Sequence, residues 1–187
     1  AKCIEEYCKK NSINQIEIAY GMSMGGVLLA NLWERNKIHI SKIVFDGSPL
    51  CGMPLISFFK WWYKNITHEA QKRNQKVIKQ AEGSIICKEL MPEFLELLDH
   101  IADATIEQYL EAIGKYRLSV GLSTSENKVY YFHGTASNEM MARKSAKFIM
   151  KYYPKAEIIC MKGKAHCEYA LLEPSKMIDL LKQYEII

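Results

Sequence analysis

Residues 14 to 36 read NQIEIAYGMSMGGVLLANLWERN and hold two kinds of periodicity on either side of a glycine-rich junction. Asn14 to Gly21 is a short, β-rich apolar run that stops at a glycine. From Val27 to Asn36, positions Val27, Leu28, Asn31, Leu32 and Arg35 follow helical spacing. The stretch is therefore a strand, a tight turn and a helix. Downstream, His39 to Asp46 (HISKIVFD) reads as a second strand, closed by the turn-forming Gly47-Ser48-Pro49. The alternation returns late in the chain, with Lys128 to His133 as strand, Met140 to Tyr152 as helix, Ala156 to Met161 as strand and Tyr169 to Tyr184 as helix. Upstream, Ala1 to Ser12 look helical. Strands alternating with helices imply an α/β fold, a mostly parallel sheet with helices on both faces.

Residues 49 to 126 show no convincing strand and read as a helical insertion, a cap on a core formed by residues 1 to 48 and 127 to 187. Pro92 suits the first turn of a helix carrying Phe94, Leu95, Leu97, Leu98 and Ile101, and Thr105 with Gln108 resembles a capping box. Charges segregate here: Lys60 to Lys79 hold six bases and one acid, while Glu82 to Glu111 hold eight acids and one base. Helix faces that pair with each other account for such a pattern. The aromatic stretch Phe58-Phe59-Lys60-Trp61-Trp62-Tyr63 reads either as a core-facing segment or as an apolar wall for a substrate's acyl group.

Composition narrows the function. With 187 residues and 49% hydrophobic side chains, the chain is long and apolar enough for one packed core. A net charge of +4 is too small to make phosphate-backbone binding the main role, so nucleic acid is not an expected partner. No run of 18 apolar residues occurs, and Lys2, Glu5, Glu6, Lys9 and Lys10 stand where a signal peptide would be apolar. The expected setting is the cytoplasm. Cys3, Cys8, Cys51, Cys87, Cys160 and Cys167 form no C-x-x-C pair and read as free reduced thiols, with neither metal nor cofactor implied.

The strand–helix junction is Gly21-Met22-Ser23-Met24-Gly25-Gly26, a G-x-S-x-G pattern that chance would produce only about 0.03 times in a chain of this composition. A serine on so sharp a turn stands exposed at the sheet's edge, and its flanking residues, Gly25 included, must be free of side chain for strand and helix to approach. In the strand-to-helix order and in this motif the sequence resembles the α/β-hydrolase superfamily across essentially its whole length. That resemblance implies Ser23 as nucleophile, His166 in the loop Lys162–Glu168 after the last strand as general base, and an acid in the loop Gly134–Glu139. Ser137 stands at the family's usual Asp position, and Glu139 is the only carboxylate in that loop. Asp46, at the end of the second strand, is the alternative acid. The Met24 backbone N–H is the first oxyanion donor. Met22, Trp61 and Trp62 are the candidate substrate contacts.

The resemblance implies a serine hydrolase acting on a carboxylic ester or related small acyl substrate through an acyl-enzyme. An acyltransferase or thioesterase would use the same residues, and a non-catalytic interaction module would follow from an incomplete oxyanion hole. Members of the superfamily carry several strands before the nucleophile, whereas here only Ala1 to Ser12 precede that strand. The expectation is a C-terminal portion completed by an N-terminal segment, a partner or a second copy. These 187 residues alone are then expected to be oligomeric or aggregation-prone and to hydrolyse esters poorly. Size-exclusion chromatography and an ester assay beside an N-terminally extended form check this, and a stable, fully active monomer would refute it.

Overall fold

The computed structural model describes residues 1–82, 88–123 and 126–187. Cys87 and part of the expected insertion lie outside the described residues. A first helix, α1 (Lys2–Lys10), precedes β1 (Gln15–Met22), α2 (Met24–Arg35) and β2 (His39–Asp46). Four helices follow, α3 (Ile56–Gln71), α4 (Gln75–Ala81), α5 (Met91–Asp99) and α6 (Asp103–Lys115). The chain then forms β3 (Lys128–Gly134), α7 (Met140–Tyr152), β4 (Glu157–Met161), α8 (Glu168–Leu172) and α9 (Pro174–Gln183). Among these, no helix is long and apolar enough to cross a membrane.

The strands lie in the order β1-β2-β3-β4 and all pair in parallel. Parallel strands need helical crossovers, and those crossovers cover the sheet on both faces. Ile43, Phe45, Val129 and Tyr131 face one side, where they pack with Leu29, Leu32 and Trp33 of α2 and Ile149 of α7. Val44, Tyr130, Phe132 and Ile159 face the other, against Met177 of α9 and Ile186. Burial on both faces is why HISKIVFD and KVYYFH read as nearly continuous apolar runs. β1 is the edge strand, paired only with β2 among the described residues. Its outer residue Tyr20 is 40% exposed.

The basic and acidic runs pair as expected. Lys64 meets Glu107 at 2.7 Å, Arg73 meets Asp99 at 2.6 Å, and Lys60 meets Glu111. These pairs turn one face of α3 toward α5 and α6. Phe58, Trp61 and Trp62 lie on the rest of the helix and are 53%, 60% and 40% exposed, so the core-facing reading of the aromatic stretch fails. Two helix boundaries also differ. Pro174 lacks an N–H and disfavours helical backbone at Glu173, which breaks the expected single C-terminal helix into α8 and α9. Helix α6 starts at Asp103 with no side-chain cap, so Thr105 sits inside it and forms no capping box.

The glycines of the elbow are not equivalent. A Cβ on Gly21 would stand 2.6 Å from Gly26 Cα, and one on Gly26 would stand 1.8 Å from Ser48 Oγ. One on Gly25 would meet nothing within 4 Å. The expectation that Gly25 must stay bare for strand–helix approach is therefore overturned: Gly25 faces open space, and Gly26 makes the close contact. Gly26→Ala should lower stability by on the order of 1–3 kcal/mol through overpacking against Ser48, whereas Gly25→Ala should leave it unchanged or slightly raised. Urea unfolding of the two variants checks this ranking.

Candidate active site

Because every strand is parallel, the loops after β1, β2, β3 and β4 all emerge at one edge of the sheet, and the candidate residues come from these loops. Ser23 stands between β1 and α2 with φ 49 and ψ −118, an uncommon backbone for a non-glycine residue. Its N–H donates to the Asp46 carbonyl at 2.7 Å, which ties the strained residue to the end of β2. Met24 opens α2, so its N–H has no acceptor one turn back within the helix.

His166 lies between serine and acid. Its Nε2 is 3.0 Å from Ser23 Oγ and its Nδ1 is 2.5 Å from Glu139 Oε1. Nδ1–H donating to the carboxylate leaves Nε2 as acceptor for the serine hydroxyl. Glu139 is fully buried, and its second oxygen accepts the Gly134 N–H at 2.7 Å. The loops that carry these two residues are bonded together: the Thr135 and Ala136 N–H groups both donate to the Lys164 carbonyl at 3.0 Å, and the His166 N–H donates to Asn138 Oδ1 at 3.3 Å. The Lys164 ammonium in turn holds Glu168 and Glu173 at 2.7 and 2.8 Å, which anchors the histidine loop on α8 and α9. A Cβ on Gly134 would stand 2.0 Å from the Lys164 carbonyl oxygen, so this junction requires glycine.

Asp46, the alternative acid, is placed differently. It is buried, its Oδ2 accepts the Tyr20 phenol at 2.5 Å, and its Oδ1 has no partner among the described residues. Burial pushes its carboxyl up to about 6, against the lowering effect of the Tyr20 bond and the neighbouring His166. The Cys167 thiol is buried beside it, donates to the Asp46 carbonyl at 3.6 Å, and is pushed well up by burial and by facing Asp46 and Glu139. It is thus an inert thiol. The five described cysteines are all unpaired. His68 and His100 are exposed on the helices before β3, bonded to Asp103 and to the Glu96 carbonyl, while His133 bonds the Gly134 carbonyl.

Of the expected substrate contacts, Met22 ends β1 beside Ser23 and is half-buried. Trp61 and Trp62 lie on the exposed part of α3. The aromatic group against the serine is instead Tyr109 of α6, whose phenol is raised by burial and drawn back by the Ser23 hydroxyl beside it. The Tyr63 phenol is likewise raised by burial and by the charge of Tyr109. No motif marks Tyr109, which looks like any other residue on a helix with three apolar neighbours in its turn.

No family model matches the chain, and no curated protein does. Solved structures do match. A protein of Desulfitobacterium hafniense assigned to the α/β-hydrolase family aligns with a TM-score of 0.68 at 18% identity, over 98% of this chain and 74% of that one. An esterase of Exiguobacterium antarcticum gives 0.67 at 17%, over 97% and 70%, and a bromoperoxidase of Bacillus anthracis gives 0.64 at 14%, over 95% and 71%. The chain has the α/β-hydrolase fold. Since an esterase and a bromoperoxidase share it, the reaction has to be argued from the site.

Burial raises the Asp46 carboxyl above its ordinary 3.8, so the native state keeps this proton to higher pH than the unfolded chain does. The associated stability is full below the unfolded value and is lost as pH rises through about 6. Asp46→Asn keeps an acceptor for Tyr20 and removes the ionisation. Between pH 5 and 7.5 the wild type should lose about 1.4 kcal/mol that the variant retains, read by urea unfolding at each pH.

Proposed function

We propose that this chain carries the site of a serine hydrolase that cleaves a carboxylic ester or related acyl bond through an acyl-enzyme. The observation that supports it is the hydrogen-bonded series Ser23–His166–Glu139, at 3.0 and 2.5 Å, ending on a serine held at positive φ. A serine hydroxyl is a poor nucleophile at neutral pH. As Ser23 Oγ attacks the acyl carbon, His166 Nε2 takes its proton, and Glu139 holds the imidazole tautomer and balances the cation that forms. The tetrahedral oxygen receives the Met24 N–H, with the Tyr109 phenol as the side-chain donor beside the same serine. His166 then returns the proton to the leaving oxygen, and a water activated by the same nitrogen releases the acid.

In this reading the helices between β2 and β3 serve as a cap. Met22, Tyr109 and Tyr63 flank the acyl group next to the serine, and the exposed rings of Trp61 and Trp62 are left to the outer part of a longer substrate. The choice of acceptor, water or a second alcohol or thiol, does not alter the residues that form the acyl-enzyme.

A fluorophosphonate probe should label Ser23 in the wild type, and Ser23→Ala should abolish labelling and ester turnover with the melting temperature unchanged. Glu139→Gln should lower kcat on the order of 10³- to 10⁴-fold with little change in KM. Loss of turnover in Asp46→Asn, with Glu139→Gln unaffected, would move the acid's role to Asp46. Tyr109→Phe should lower kcat by on the order of 10²-fold if the phenol supports the oxyanion, and an unchanged kcat would confine Tyr109 to packing.

A further inference from the structure

Helix α7 carries Arg143, Lys144, Lys147 and Lys151, spaced so that they fall along one side of the helix, and Arg117 approaches from the segment after α6. A cleft of about 420 Å³ is lined by Arg117, Lys144, Lys147 and Lys151 together with Leu50, Cys51, Phe148 and Tyr152. A second depression, of about 550 Å³, shares Lys144 and Lys147 and is closed by Arg143. None of the residues proposed for ester cleavage lines either one.

The charge in this region is uncompensated. None of the five bases forms an ion pair among the described residues, although Lys60, Lys64 and Arg73 of α3 and its following turn each have a carboxylate partner. Arg143 donates to the Thr135 carbonyl at 2.8 Å, and Arg117 donates to the carbonyls of Gly114 and Tyr116 at 3.1 and 2.9 Å. Those bonds orient the guanidinium groups and leave their charge unbalanced. The charges of Lys144 and Arg117 both reach the Cys51 thiol, so they converge on one cleft. In the same lining, the Phe148 and Tyr152 rings stand 4.8 Å apart.

We propose that this cleft binds a small molecule bearing several phosphates and a planar ring, of the nucleoside di- or triphosphate class. The phosphates would sit among Arg117, Lys144 and Lys147, which form no ion pair among the described residues, and the ring would lie against Phe148 and Tyr152. Volumes of this size suit a small ligand. A nucleic-acid backbone or an anionic membrane would need the positive charge spread over a longer stripe or a flat face, and the net charge of the chain is only +4.

Isothermal titration at fixed ionic strength, with ATP, sodium pyrophosphate and adenosine as separate probes, tests this. ATP should bind saturably at one site, pyrophosphate more weakly, and adenosine not measurably. The double variant Lys144→Gln/Lys147→Gln and the single variant Arg117→Gln should each weaken ATP binding at least tenfold while keeping the wild-type melting temperature and the labelling of Ser23 by the fluorophosphonate. Absence of saturable binding to ATP and pyrophosphate would overturn the proposal, as would unchanged affinity in the folded variants. Binding confined to duplex DNA or to phosphatidylserine vesicles, run as parallel arms, would overturn it in favour of a macromolecular or lipid polyanion.

Discussion

The contact of Gly26 with Gly21 and Ser48 sets the distance between α2 and β1, and the position of Ser23 follows from that distance. With a Cβ on Gly26 only 1.8 Å from Ser48 Oγ, no side chain is compatible with this approach. The turn between the two elements must then be made by one residue, and Ser23 makes it at φ 49. Such a backbone is costly for a residue with a Cβ, and it persists because its surroundings over-determine it. The Ser23 N–H is taken up by the Asp46 carbonyl, and the Ser48 hydroxyl bonds the Gly21 carbonyl at 3.0 Å. The loop after β2 therefore holds the turn after β1 in place.

A second constraint acts at the far side of the sheet edge. The β3 and β4 loops meet where Gly134 passes the Lys164 carbonyl, and two N–H groups of one loop end on that single oxygen. Glu139 and His166 are 27 residues apart in sequence and are brought to 2.5 Å by this junction together with the parallel register Gly134↔Met161. At the other end of the site, Gly47 is at φ 61, and a Cβ there would stand 2.7 Å from the His166 ring. The imidazole is thus held between the loops of β2 and β3. Burial of Tyr130, Tyr131 and Phe132 fixes β3, the strand from which the Glu139 loop springs.

The parts of this arrangement that follow backbone periodicity are legible in the sequence. HISKIVFD and the helix Met140–Tyr152 match their elements to the residue, because a strand buried on both faces and a helix with one apolar face each leave a strong pattern. What depends on a neighbour distant in sequence leaves none. Gly25 and Gly26 are adjacent identical letters, and only the location of Ser48 distinguishes them. Trp61 and Trp62 look like core residues by composition, yet α3 buries Thr67 and Ala70 and ion-pairs with α6 through Lys60 and Lys64, leaving both rings outward. Tyr109 lies beside Ser23 on α6, which runs antiparallel to α3 through Lys60–Glu111, Lys64–Glu107 and His68–Asp103, and no local motif encodes that placement. Pro174 was readable as a breaker, and the apolar periodicity running through it masked the boundary.

Two carboxylates, Glu139 and Asp46, lie within reach of one histidine, and their hydrogen bonds separate their parts in the proposed reaction. A group that supports an imidazolium must be ionised at working pH and must point a free oxygen at the ring. Glu139 does the latter, and its other oxygen is occupied by a backbone N–H, so a charge on it is shared between two donors. Asp46 offers its bonded oxygen to a phenol and leaves the other without a donor, an arrangement in which burial favours the neutral acid. Below about pH 6 the protonated Asp46 adds no competing negative charge near His166. Its main-chain carbonyl, rather than its carboxyl, is what holds Ser23, so this residue acts on the site through a backbone hydrogen bond to the Ser23 turn.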